Sequence, residues 1–163
     1  MSSLVRPRRR GKGNGQSLVE FALALPIVVL IIVGLIDLGR GVYTYNTLAQ
    51  AARQANRTAI VDQDVTSVVA TATASAATLG LSSTNVDVCF KADGSTQTDC
   101  SDPTADPCAS PYSIGCLAIV RTHVGFSPIT PIIGQLIGSI QMSSTSIEPI
   151  EYVCPTSTHL TCP

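Results

Sequence analysis

Sixteen consecutive residues without a charge, Phe21 to Ile36, constrain this chain more than any other feature. Glu20 stands directly before them. Five cations precede Glu20: Arg6, Arg8, Arg9, Arg10 and Lys12. As a helix, residues 16–36 would reach about 31 Å, which matches a bilayer's hydrocarbon core of about 30 Å. That length brings Glu20 inside the bilayer, near the cytoplasmic face. A charge there costs roughly 2.5–3.5 kcal/mol at the middle of a membrane helix and less near its end. A plain anchor has no use for this carboxylate, so its placement asks for a function.

The charges are segregated along the chain. Residues 1–12 carry five positive charges and no negative one, whereas the chain beyond residue 60 has a net charge of −7. Cationic flanks stay on the cytoplasmic side of a membrane, which puts the acidic part across it. All six cysteines (Cys89, Cys100, Cys108, Cys116, Cys154 and Cys162) lie in that acidic part. An even number in a small exported domain reads as disulfides, with fifteen pairings open. No C-x-x-C pair occurs, which weakens a zinc site. A cleaved secretory signal fits poorly, because the nearest small-x-small site, Ala49-Gln50-Ala51, lies beyond charged Asp37 and Arg40.

The organisation that follows has three parts. Residues 1–15 form a basic leader whose charge the membrane segment already explains, so no nucleic-acid partner is implied. Residues 16–60 form one helix, with Pro26 as the expected kink. Asp37 and Arg40 share a face at the far interface and can pair. Tyr43 and Tyr45 sit at headgroup depth. Beyond them Val42, Tyr45, Leu48, Ala52, Ala55 and Ala59 recur at helical spacing, with Gln50, Arg53 and Arg57 on another face.

Residues 61–163 read as an extracytoplasmic α+β head. Asp62 or Asp64 can cap a second helix with Val65, Val68, Val69, Ala72, Ala76 and Leu79 on its apolar face, stopped by Gly80. Residues 85–90 alternate as a strand, as do residues 117–126, with Ala118, Val120, Thr122, Val124 and Phe126 on one face. Residues 91–116 between them form a loop too long to stand without cross-links. Thr130-Pro131 opens a short helix bearing Ile132, Ile133, Leu136 and Ile137, which ends at Gly138. Residues 139–147 are a third strand, broken by Pro149.

Enzyme chemistry finds little support. His123 lies on the strand face opposite Val120 and Val124, without a nucleophile motif beside it. His159 lies between Cys154 and Cys162, off the zinc spacings. Asp93, Asp99, Asp102 and Asp106 lack the calcium-loop signature. No phosphate-cradling glycine loop occurs. The expectation is a protein without cofactor, metal or catalytic residue. Asn56-Arg57-Thr58 matches a glycosylation sequon but falls within the helix.

The stretch from Gly15 through Glu20-Phe21 resembles the G-x-x-x-x-E-F processing site of Tad (tight adherence) type IV pilins and pseudopilins. The flanking GQSLVEFALALPIVVLIIVGLIDLGRGVYTYNTLAQAARQANR is similar to the TadE-like pilus assembly family, through Gly15, Glu20, Phe21, Pro26, Asp37, Arg40, Ala51, Ala52 and Arg53. The later VGFSPITPIIGQLIGSIQMSSTSIE is similar to that family's closing strand–helix–strand. The resemblance covers residues 11–60, and 117–148 more loosely. The loop 89–116 and the tail 149–163 have no counterpart in it.

The resemblance implies a pseudopilin or membrane-anchored assembly component of a Tad pilus. A prepilin peptidase would cut after Gly15, leaving Gln16 as the mature terminus. Glycine has no side chain, so the backbone there can lie extended in a protease cleft. Glu20 would pair with the new amino terminus of a neighbouring subunit, a buried charge tolerated because its partner is buried with it. Implied partners are the peptidase, other pilin and pseudopilin subunits, the Tad secretion machinery and the bilayer. Ala22, Ala24 and Gly34 suit close helix packing. The first rival reading is a single-pass anchored extracellular binding module that enters no filament, with the acidic loop as its binding surface; the second is an anchored extracellular hydrolase, against which the missing nucleophile motif counts.

Overall fold

The computed structural model describes residues 14–96, 98, 100–102, 106–108, 114–130, 134–135 and 138–151. Helix α1, Asn14–Ala59, runs 46 residues without a break, Pro26 included. A turn then follows, and Asp64 caps helix α2, Val65–Ser75, its side chain accepting the Ser67 N–H at 3.0 Å. Helix α2 stops earlier than its apolar spacing suggests. A 3₁₀ turn, Ala77–Leu79, completes the segment, and Gly80 closes it at φ 65°. That left-handed conformation suits glycine, which has no Cβ to clash. The threonines of α2 explain its shortness. Thr71, Thr73 and Ser75 each hydrogen-bond a carbonyl three or four residues back, which competes with helix formation.

Three antiparallel strands follow: β1 (Val86–Lys91), β2 (Leu117–Phe126) and β3 (Ile140–Pro149), in the order β1-β2-β3. In register, Val88 faces Val120 across β1 and β2, and Val124 faces Met142 across β2 and β3. The third strand extends through Pro149, which pairs with Leu117. β3 is an edge strand and Pro149 is its last residue, so the missing N–H removes no interior ladder bond.

One face of the sheet packs on both helices. Leu48, Ala51, Ala55 and Ala59 of α1 meet Val68, Ala72 and Ala76, and Val86, Phe90, Ala118 and Val120 from the sheet close the core. Gln50, Arg53 and Arg57 are exposed, as the spacing predicts. Val42 and Tyr45, placed on the buried seam from sequence, are instead exposed. Ala51 and Asn56, off that seam, are fully buried. Ala51 and Asn56 are covered because α1 carries two neighbours, α2 and the sheet, and the two together bury a wider stripe than one would. Val65 is likewise exposed at the start of α2.

The strands run in defined directions along α1. Gly41 lies beside the Phe126 ring, the Leu48 carbonyl accepts the Thr122 hydroxyl at 3.1 Å, and Asn56 donates to Ser146 Oγ at 3.2 Å. β2 therefore descends along α1 toward residue 37, and β3 climbs back. The loop after β1 starts at the opposite end, where Lys91 pairs with Leu117.

Candidate membrane and assembly site

The residues of the expected processing motif occupy the first turns of α1. Gly15, Gln16, Glu20 and Phe21 are all exposed, and so is nearly every side chain up to Ile36. No part of the most hydropathic window of this helix is buried in the protein. By length and composition, α1 can cross a membrane. An apolar helical surface of this size is far above what a soluble chain leaves uncovered. Pro26 lies within the helix and frees the Ala22 carbonyl from its usual partner.

At the other end of that apolar stretch, Asp37 is buried while its neighbours on the helix are not. Arg40 approaches it at 3.4 Å, at the i,i+3 spacing. The main partners of Asp37 are elsewhere in the chain. Its carboxylate accepts the Ile129 N–H at 2.9 Å, the Thr130 N–H at 2.7 Å and the Thr130 hydroxyl. These bonds hold its pKa down to about 2, the Thr130 hydroxyl first, then the two backbone donors, with the Arg40 charge adding less and burial opposing. The Gly134 N–H in turn reaches the Thr130 carbonyl at 2.8 Å. Asp37 thus holds the backbone of Ile129 and both donors of Thr130 from a distant helix. Arg40 also lies over the Phe126 ring, 5.6 Å from its centre.

The sequence-level pairing of Asp37 with Arg40 left out Ile129 and Thr130. The only signal for them was the Thr130-Pro131 start of a short helix, which needs an acceptor. Residues 131–133 and 136–137, the apolar face expected for that helix, lie outside the described residues, whereas Gly138 closes the segment at φ 70°.

The cysteines resolve two pairs. Cys89 joins Cys100, and Cys108 joins Cys116. Cys154 and Cys162 lie outside the described residues, as do His159 and Asp99. The bridges fold the loop back onto the sheet. Cys89 faces Ile119 in the ladder, and Cys100 Sγ lies 3.7 Å from the Ile119 carbonyl, on the side away from the helices. Ile119 is fully buried there, although its position in the alternation suggested an outward residue. The segment 106–108 covers the edge of β1, with Cys108 N–H bonded to the Phe90 carbonyl at 3.0 Å. The fully buried Lys91 extends its ammonium to the Asp102 carbonyl.

The remaining sequence candidates come apart. His123 stands 3.5 Å from Asp87 on the outer face, in an open polar hollow of about 410 Å³ shared with Arg121, Gln141 and Ser143. Asn56 of the sequon is fully buried against β3, so a glycan cannot be accommodated. Among the described residues, no group of acidic, His and Cys side chains forms a metal site.

The architecture is therefore a small disulfide-bonded α+β head carried on one long helix whose leading half is apolar and uncovered. Residues 15–57, nearly the whole of that helix, match the family model of TadE-like protein. No curated protein and no solved structure matches the chain.

Proposed function

We propose that the chain is a single-pass TadE-like pseudopilin, a structural or assembly component of a Tad pilus. The observation that carries this is the family match, which begins at Gly15, where the exposed leading turns of α1 open. The leader 1–15 stays in the cytoplasm, residues 16–36 cross the membrane, and the head lies outside. A prepilin peptidase removes the leader after Gly15. Assembly then seats the new terminus of Gln16 against Glu20 of a neighbour. The other partners are pilin subunits and the Tad secretion machinery. The role is structural: the chain is a substrate of an enzyme and its own chemistry is association. The two disulfides agree with an oxidising compartment for the head.

Intact-mass measurement on protein from the native host tests the processing step. A mature chain starting at Gln16 supports the reading. A chain starting only at Met1 or Ser2 removes the pseudopilin assignment and leaves an anchored module.

A further inference from the structure

The lower end of the head carries an open apolar groove against α1, about 560 Å³ in volume. Gly34, Leu38, Gly41 and Val42 form one wall, and Phe126 and Met142 are on the other. Its size and lining suit an apolar ligand held by few polar contacts. Its position follows from the Asp37 contact. Asp37 is the first residue past the proposed span, and it holds Ile129 and Thr130 at its own level. Gly34 lies three residues below it, inside the span, so the groove begins within the bilayer and opens upward.

The charge distribution has the same polarity. No charged residue occurs from Phe126 to Ile147, and β2 and β3 reach this end at the paired Phe126 and Ile140. Asp93, Asp102 and Asp106 belong to the loop at the far end. Ile129 and Ile140 are 62% and 43% exposed beside the groove, an arrangement unfavourable in water and favourable at the acyl boundary. Arg40, over Phe126, is half exposed and lies one helical turn beyond the proposed span, within reach of lipid phosphates on that reading.

We infer that this groove is a lipid site: it takes an acyl chain of an outer-leaflet phospholipid, with Arg40 facing the phosphate, and seats the head on the membrane. The inference rests on the membrane reading of α1. It adds that the head itself touches lipid.

The chain has no tryptophan, so single replacements report unambiguously. Full-length protein is placed in nanodiscs of phosphatidylethanolamine and phosphatidylglycerol brominated on the acyl chain. Met142→Trp and, as a second groove reporter, Ile140→Trp should lose most of their emission. Ser143→Trp, one residue away on the outer face, should keep it. Leu25→Trp, in the middle of the span, checks insertion. Quenching at residue 25 without quenching at 140 and 142 overturns the lipid site and leaves the span standing. Absence of quenching at residue 25 overturns the membrane reading and the lipid site together. Shielding of residues 140 and 142 that instead follows dimer formation assigns the groove to a second copy and overturns the proposal.

Discussion

The Asp37 carboxylate accepts both the backbone N–H and the hydroxyl of Thr130, a residue 93 positions further along the chain. One acidic side chain where the apolar half of α1 ends thereby ties down the connection between β2 and β3. Because the acceptor belongs to the helix and the donors to the β2–β3 connection, the contact couples the orientation of the head to the helix that carries it.

That coupling has a pH signature. The Asp37 pKa falls from 3.8 to about 2 in the folded protein. A depressed carboxylate pKa stabilises the fold above the unfolded value and ceases to do so as the pH falls through the folded one. Head stability should thus decline between about pH 4 and pH 2. Asp37→Asn should flatten this part of the profile and lower stability at neutral pH. Near-ultraviolet circular dichroism along a pH series in detergent reads it out. An unchanged slope in the variant would assign the acid sensitivity to another group.

The pairing proposed for Glu20 makes a separable prediction. Glu20→Ala should insert and be cleaved normally, since it makes the helix more apolar and leaves Gly15 in place. Incorporation with other pilins should fall. Removing one member of a buried pair costs roughly 3–5 kcal/mol, which is a hundredfold or more at about 1.4 kcal/mol per decade. Glu20→Gln should fail in the same way, because shape without charge leaves the amino terminus unpaired. Co-purification with the other pilins, compared across the three proteins, decides it. Equal recovery would make Glu20 an interfacial residue only.

Non-reducing peptide mapping should return Cys89–Cys100 and Cys108–Cys116, and with them Cys154–Cys162 as the remaining pair. The two described bridges span 11 and 8 residues. Loops of this size are each worth about 2–3 kcal/mol in the chain-entropy model. Replacing Cys89 and Cys100 together by alanine should also uncover Ile119, so added hydrophobic-dye binding should accompany the lower melting temperature. Any other connectivity in the map refutes this arrangement of the loop.

The alanine seam of α1 leaves no room for larger groups. Ala55 is fully buried between α2 and the sheet. Ala55→Leu should cost about 1–3 kcal/mol through overpacking. Gln50→Leu, on the exposed face, should change stability by no more than about 0.5 kcal/mol. Thermal melts of the two variants in one detergent give the contrast. Equal melting temperatures would mean that α1 and the head pack more loosely than described.

The sequence by itself determined the elements and their order. An uncharged run of membrane length, helical spacing through Ala59, a cap at Asp64 and two alternating strands are all written within a few residues of where they act. Such signals are local, because hydrophobic period and capping depend on near neighbours. It also marked, through the uncharged run Phe21 to Ile36, the part of α1 that the head leaves uncovered. Only the tertiary structure decided how distant groups meet. Thr130 reaching Asp37, Cys89 choosing Cys100, Ile119 buried under a loop and Asn56 buried against Ser146 each join residues that no short period relates. Those contacts depend on strand register and on where a long helix passes the sheet. Val42 and Tyr45 show the difference best. Their spacing marked them for the core, yet the head's own edge ends at Phe126 and Ile140 and leaves them lining a groove, because burial depends on what stands opposite and not on period alone.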